Sequence, residues 1–272
     1  MTPVSADISL VVTDLDGTLW HTDDSVHPDT VEALEELRRR GTPLLVATGR
    51  RVTSTREPLA RLGWAPAAVM LNGAIGLELS SGACFHRRPF AVEAARRTLE
   101  AFGRAGIDPV VYVDHPDLDA FTSETPGTSP EHVSALGPML GTADLDEVVR
   151  DYEVLSFGVI GIDYGPGQQV VDGVAGVATP RLDRSLDYGG AALIVSALGL
   201  SKWDGVLAWC DTAGIDPGRV LAIGDGPNDV ELLAGAAVAV SLEGSHPDAL
   251  AVADHVVPPA EEGGWAGLLD LF

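Results

Sequence analysis

The stretch Ile8-Ser9-Leu10-Val11-Val12-Thr13-Asp14-Leu15-Asp16-Gly17-Thr18 decides the reading of this chain. Its first six residues form the kind of apolar run that makes a buried strand. The run ends in two aspartates one residue apart, at the point where a glycine turn opens. Ionised side chains are costly to desolvate, so packing explains such a pair poorly and a reactive site explains it well. Strand alternation alone would send both carboxylates to one face. A turn at Gly17 lets the second swing away, so the two can take different jobs beside one metal ion. For a bare Asp-x-Asp taken by itself, a solvated acidic turn is the plain alternative.

Three further stretches remove that alternative. Val46-Ala47-Thr48-Gly49-Arg50 follows the apolar run from Pro43, and Leu221-Ala222-Ile223-Gly224-Asp225-Gly226-Pro227-Asn228-Asp229 follows another strand and leads into a helix; Ser201-Lys202-Trp203 lies between them. In this order the Asp-Leu-Asp-Gly-Thr, the Thr of Ala-Thr-Gly-Arg, the Lys and the Gly-Asp-Gly-Pro-Asn-Asp resemble the four signatures of the haloacid dehalogenase (HAD) superfamily of phosphohydrolases. The resemblance extends over the whole chain and looks closest to the Cof-type sugar-phosphatase branch. It implies an α/β fold: a HAD-like doubly wound parallel sheet, a Rossmann-like core, with a type II α/β cap domain inserted between the second and third motifs.

The periodicity agrees with that architecture. Residues about 28–40 read as an amphipathic helix with Val31, Leu34 and Leu37 on one face and Gly41 as its stop. A strand at about 43–48, a helix at 53–62 and a strand at 67–71 complete a βαβαβ pattern, which implies right-handed parallel crossovers. From about residue 79 short strands, such as Val110 to Val113 and Val154 to Ile160, alternate with helices and Pro/Gly/Asp-rich loops. A parallel-sheet pattern resumes with Ala191 to Val195, then a helix from 201, a strand at 219–223, a helix at 228–235, a strand at 237–240 and a closing helix near 264–271. The expected domains are 1–78 and 188–272 for the core and 79–187 for the cap.

Composition sets limits on function. At 272 residues and 46% apolar content the chain can bury a sizeable core. No apolar run reaches the ~18 residues that span a bilayer, and the amino terminus lacks the basic-then-apolar order of a secretory signal. The expected setting is the cytoplasm, without a membrane partner. Cys84 and Cys210 are too few for a disulfide framework and lack metal-ligand spacing. A formal net charge of −23 with no Lys/Arg cluster argues against a nucleic-acid partner. The same charge repels a phosphorylated substrate, so local cations must hold it. Lys202 is the only lysine, beside sixteen arginines, which suggests that the third motif needs a compact ammonium where the rest of the chain makes do with guanidinium.

The resemblance assigns the roles. Asp14 would be the nucleophile that forms an aspartyl-phosphate, Asp16 the general acid and then base, and Lys202 the cation that stabilises both the nucleophile and the phosphoryl charge. A Mg²⁺ ion would be held by Asp14, the backbone carbonyl of Asp16 and Asp225. Asp229 would be a second metal-site carboxylate or a partner of Lys202, although its place at a helix start also suits an acidic first-turn residue. Thr48, Gly49 and Asn228 would hold phosphoryl oxygens, with Arg50 a further candidate unless it serves an ordinary ion pair. Asn72-Gly73-Ala74 resembles the loop that faces substrate in Cof-type relatives, or else is a plain Asn-Gly turn. His21, His27 and His86 show no metal-ligand spacing. Trp203 departs from the glycine that often follows this lysine in relatives. The expected activity is Mg²⁺-dependent hydrolysis of a small phosphorylated metabolite, with a sugar phosphate foremost. A phosphotransferase or phosphomutase, and a catalytically silent HAD-like binding protein, are the alternatives.

Overall fold

The computed structural model describes residues 7–21, 23–185 and 189–272. Strand β1 (Leu10–Thr13) is buried at every position and leads through the Asp-rich loop into α1 (Pro28–Arg40). Proline suits the first helical position because its fixed φ is already helical and its missing N–H leaves nothing unsatisfied. The helix ends at Gly41 in the left-handed conformation, behind Arg38, Arg39 and Arg40, which complement the negative end of its dipole. Its buried face is Thr30, Ala33, Leu34 and Leu37. Val31, expected on that face, is 42% exposed, because it lies one position round the helix from the i, i+3, i+4, i+7 stripe that Thr30 begins.

Strands β2 (Leu44–Ala47) and β3 (Ala67–Met70) flank helix α2 (Val52–Arg61), and a hairpin of β4 (Ile75–Glu78) and β5 (Cys84–Arg87) follows. The next stretch runs α3 (Val92–Arg104), β6 (Val110–Val113), β7 (Ala120–Thr122), α4 (Pro130–Leu136), β8 (Leu140–Thr142), α5 (Leu145–Asp151), β9 (Val154–Ile162), α6 (Tyr164–Gly173), β10 (Ala178–Arg184) and β11 (Ala191–Ala197). The remainder is α7 (Lys202–Ala213), β12 (Val220–Ile223), α8 (Val230–Gly235), β13 (Val238–Leu242), α9 (Pro247–Val252) and β14 (His255–Val257), closed by a 3₁₀ turn at Gly264–Asp270 where a regular helix was expected.

These elements form two compact units, one of residues 1–87 with 201–272 and the other of residues 88–200. The first is built on an eight-stranded sheet in the order β14-β13-β12-β1-β2-β3-β4-β5, parallel from β14 to β3 and antiparallel at β4 and β5. The hairpin of β4 and β5 therefore continues this sheet past the position near 79 where the sequence pattern changes. The second unit holds a six-stranded sheet, β10-β11-β9-β6-β7-β8, antiparallel except between β7 and β8. Residues 191–195, expected to resume the parallel sheet, lie in β11 and pair antiparallel with β9 and β10. An apolar run does not disclose strand direction, and β11 is buried or half-buried at every position, as a core strand of either sheet would be. The expected boundary at 187/188 falls outside the described residues.

The chain leaves β1 towards β2 and β3 on one side and returns to it through β12 on the other. Strand order thus reverses beside β1, and the crevice at the carboxyl ends of such strands is where open α/β sheets bind ligands. Alternate residues of the central strands, Leu10 and Val12, Leu45 and Ala47, Ala67 and Val69, Val220 and Ala222, form one apolar face against Val206 and Cys210 of α7 and Leu232 and Leu233 of α8. Among the described residues no helix is long and apolar enough to cross a membrane.

Trp203 is partly buried against this core, with its indole lying over Gly235. A Cβ added at Gly235 would overlap the ring, so the tryptophan is accommodated by a glycine on the neighbouring helix. Gly235→Ala should lower stability by about 1–3 kcal/mol in the wild-type chain. In a Trp203→Ala background the same change should cost little, and a thermal-melt double-mutant cycle without that coupling contradicts the packing.

Candidate active site

Asp14 is the first residue past β1, and its N–H donates to the carbonyl of Ile223 at 3.0 Å, which ties the first motif to the strand bearing the fourth. Thr13 Oγ1 donates to the carbonyl of Asp14 at 2.7 Å and accepts from Trp265 Nε1 at 3.0 Å. Both residues of that relay are fully buried. Gly17 turns the loop at φ 74°, and a Cβ there would sit 2.6 Å from Asp225 Oδ2. Glycine is therefore required twice over, for its left-handed backbone and for the approach of the fourth-motif carboxylate. Thr18 Oγ1 donates to Asp225 Oδ1 at 2.6 Å and fixes that side chain.

Lys202 opens α7 behind Ser201, which forms a reciprocal capping box with Asp204. Its Nζ donates to Asp14 Oδ1 and to Asp229 Oδ1, each at 2.7 Å. The side chain has no exposed surface. Burial works against its charge, but the fields of Asp14 and then Asp229 outweigh burial and hold its pKa above the ordinary lysine value. The lone lysine is thus enclosed within the fold, held between two carboxylates. Asp229 is likewise fully buried, and its Oδ2 accepts from the N–H of Gly226 at 3.0 Å. Of the roles open to Asp229 in the sequence, partner of the lysine is the one its hydrogen bonds fill.

Asp14, Asp225 and Asp229 each offer a carboxylate oxygen within 4.8 Å of the others. One ammonium cannot neutralise three carboxylates. Burial first, and then the neighbouring aspartates against the pull of Lys202, raise the pKa of Asp14 well above the carboxylate range. Burial likewise raises Asp225, to about 6, with the Thr18 hydroxyl opposing. Asp14 Oδ2 and Asp225 Oδ2 accept no hydrogen bond among the described residues. Clustered hard oxygens with surplus negative charge fit a hard divalent cation. The carboxylate of Asp16 is not in this cluster. It faces Arg50, whose Nε and Nη2 reach its two oxygens at 2.8 and 2.5 Å, and Trp20, whose Nε1 donates to Oδ1 at 3.1 Å.

The expected phosphate-side residues converge around Gly49. A Cβ on that glycine would lie 3.2 Å from Asn72 Oδ1 and 3.6 Å from Asn228 Nδ2. Asn228 Nδ2 donates to Asn72 Oδ1 at 3.0 Å. The N–H of Asn72 donates to the carbonyl of Thr48 and that of Leu71 to the carbonyl of Arg50, so the second-motif loop and the 71–73 loop are laced together. Leu71 and Asn72 both have left-handed backbones, at φ 50° and 55°, which an ordinary Asn-Gly turn does not ask of leucine. Such strain is held only where surrounding structure over-determines it, often at ligand sites. Gly73 follows, its carbonyl bonded to His86 Nε2 at 2.9 Å. Thr48 is buried, its Oγ1 accepting from the N–H of Arg50 at 3.1 Å.

Arg50 is turned away from these amides. Besides Asp16 it donates to Asp24 Oδ1 and the carbonyl of Ser54, with its Cζ 4.9 Å from the centre of a Trp20 ring. His21 pairs with Glu261 and His27 caps α1. Thr18, Trp20, Asp24 and Trp265 were not singled out from the sequence. Thr18 stands inside the first motif, but nothing in its spacing says which carboxylate its hydroxyl serves. The other three carry no sequence signal for where they point.

Residues 11–134 and 174–269 match the family of haloacid dehalogenase-like hydrolases. Phosphoglycolate phosphatase of Methanopyrus kandleri is 28% identical over 94% of this chain and 92% of its own length. Among solved structures, a phosphatase of the haloalkanoate superfamily from Bacteroides thetaiotaomicron superposes with a TM-score of 0.78 at 21% identity, covering 98% of this chain and 95% of that one. A HAD subclass IIB sugar phosphatase superposes with a TM-score of 0.75 at 23% identity, over 96% and 97% of the two chains. With its four motifs gathered at the carboxyl ends of the central strands, the chain belongs to the haloacid dehalogenase-like hydrolases, within their Cof-type branch, and is an enzyme of the phosphoric monoester hydrolase class.

Proposed function

We propose that this enzyme hydrolyses a small phosphorylated metabolite, foremost a sugar phosphate, through an aspartyl-phosphate on Asp14, with Mg²⁺ as its metal. The observation that carries the reading is the buried triad of Asp14, Lys202 and Asp229 beside Asp225. A carboxylate held by an ammonium at one oxygen, with its other oxygen unbonded among the described residues, is oriented and not merely neutralised. The sugar phosphatase and the phosphoglycolate phosphatase among the similar proteins support the substrate class. Residues 88–200 are read as the cap, and the cytoplasm as the setting.

In this mechanism Asp14 attacks phosphorus in line and the leaving oxygen departs on the opposite side. Asp16 gives its proton to that oxygen, then takes one from the water that hydrolyses the intermediate. Lys202 holds Asp14 in place and faces the charge that spreads over the equatorial oxygens. The amides of Asn72 and Asn228, the Thr48 hydroxyl and the Gly49 N–H hold those oxygens. Asp14, Asp225 and the carbonyl of Asp16 would hold Mg²⁺, which when bound supplies the positive charge that lets a carboxylate and a phosphate dianion approach.

The first test is phosphate release from p-nitrophenyl phosphate, then from a panel of sugar phosphates and phosphoglycolate, in Mg²⁺ and in chelator. Activity should require Mg²⁺, proceed without an acceptor alcohol, and vanish in Asp14→Asn. Full activity in excess chelator overturns the metal reading, and release only when an acceptor alcohol is present favours a phosphotransferase. Lys202→Arg should lower kcat/KM by ~10²-fold, since a guanidinium displaces the charge by ~1 Å. Lys202→Ala should lose at least as much and also melt earlier, because removing one partner of a buried ion pair costs about 3–5 kcal/mol. An Ala variant with wild-type melting and kinetics would return Lys202 to a bystander role.

Asp225 sets a pH dependence. Its carboxyl titrates at about 6 in the folded chain, raised by burial, against ~4 when unfolded. The folded state therefore keeps a proton that the unfolded chain has released. The stability this provides is present below pH ~4 and lost as pH rises through ~6. In chelator, wild type should lose up to about 2–3 kcal/mol relative to Asp225→Asn across that window, and Mg²⁺ should restore it at neutral pH. A stability difference that stays flat from pH 4 to 7 contradicts the assignment.

A further inference from the structure

We propose that Asp24 is a positioning residue for Asp16, acting through Arg50, and that the second-motif arginine serves the acid–base carboxylate and not the phosphate. The proposal rests on the reading of Asp16 as the acid–base group.

Asp24 lies outside every motif, in the turn where its N–H donates to the carbonyl of His21 at 3.0 Å. Its backbone is left-handed, at φ 61°. That conformation is unfavourable for a residue with a Cβ, and glycine would adopt it freely. The side chain explains why aspartate stands there. Oδ1 accepts from Arg50 Nη2 at 2.7 Å and Oδ2 from Arg61 Nη2 at 3.2 Å. The same Nη2 of Arg50 reaches Asp16 Oδ1, while Nε reaches Oδ2. Asp24 therefore anchors the Nη2 end that also faces Asp16, the Ser54 carbonyl holds Nη1 at 3.1 Å, and the Trp20 ring supports the face of the guanidinium. All three nitrogens are engaged, and two of them, Nε and Nη2, turn to Asp16.

Asp16 needs this support. Its side chain is 46% exposed, so packing does not choose its rotamer. Two donors from Arg50 and one from the fully buried Trp20 fix the plane of the carboxyl. A planar fork does this where an ammonium could not. Arg50 is itself strongly held: burial opposes its charge, but its hydrogen bonds to Asp16 and Asp24 raise its pKa. A phosphate would have to displace two carboxylates to claim it.

The experiment compares kcat/KM, which reports the phosphorylation step, on phenyl phosphate and p-nitrophenyl phosphate in Mg²⁺. The two probes differ in how much their leaving oxygen needs a proton. Asp24→Gly relaxes the backbone, so its melting temperature should equal or exceed that of wild type. Its kcat/KM on phenyl phosphate should nevertheless fall roughly tenfold or more, mostly in kcat, with a several-fold smaller loss on p-nitrophenyl phosphate. Asp24→Asn keeps the Oδ1 acceptor and tolerates the left-handed backbone, and should recover most of the rate. Arg50→Lys keeps the charge without the fork and should show the leaving-group-dependent loss. Asp16→Asn should show the same pattern, larger. If Asp16→Asn depends on the leaving group while Asp24→Gly and Arg50→Lys lose equally on both probes, or lose nothing, the positioning role is overturned and the reading of Asp16 stands. If Asp16→Asn itself is indifferent to the leaving group, that reading falls and the proposal with it.

Discussion

A single buried ammonium organises the site. Lys202 lies between Asp14 and Asp229 at 2.7 Å from each, with no surface in contact with solvent. Enclosing a cation this completely is tolerable only because two carboxylates and good geometry replace its water. The arrangement works in both directions, since each aspartate gains a buried cation as its partner in place of water. One contact thus joins the loop after β1, the start of α7 and the turn after β12, which are 188 and 27 residues apart along the chain. The capping box at Ser201 and Asp204 sets where α7 begins, and so where the ammonium sits.

The charge balance follows from that contact. Asp14, Asp16, Asp24, Asp225 and Asp229 line this region; Lys202 and Arg50 are each already bound to two of these carboxylates, and Arg61 pairs with Asp24. Lys202 and Arg50 would therefore each meet a phosphate with their charge already shared between carboxylates. In a chain of net charge −23 the proposed reading therefore needs backbone N–H groups, side-chain amides and a cation held by the three clustered aspartates to add to the attraction for an anion. Burial first, and then the crowding of like charges, raises the pKa values of Asp14 and Asp225.

Much of the candidate site was legible in the sequence because charged residues and glycines that packing does not explain stand where apolar runs end. A buried run closing on Asp-x-Asp-Gly-Thr, a lone lysine and a Gly-Asp-Gly turn are informative before any fold is known. The amides of Asn72 and Asn228, which the resemblance placed near substrate without relating them to each other, meet through a direct hydrogen bond. What was not legible depends on rotamers and strand direction. Nothing in Thr48-Gly49-Arg50 says that the guanidinium turns back to Asp16, and Asp24 looks like any loop aspartate until its φ is known. The run 191–195 has the apolar content of a core strand whichever sheet it joins, so its antiparallel place between β9 and β10 could not be read from composition.

The pairing of β1 also bears on how the molecule is made. Leu10 sits beside Val220, so the strand that carries the nucleophile waits for a partner synthesised about two hundred residues later. Every strand of the six-stranded sheet has left the ribosome before β12 emerges. The inserted unit can therefore close its own sheet while the first unit still has β1 open along one edge. That order makes the amino-terminal βαβαβ segment the part of the nascent chain most in need of protection from pairing with other chains, an exposure that ends when β12 docks and brings Asp225 in beside Asp14.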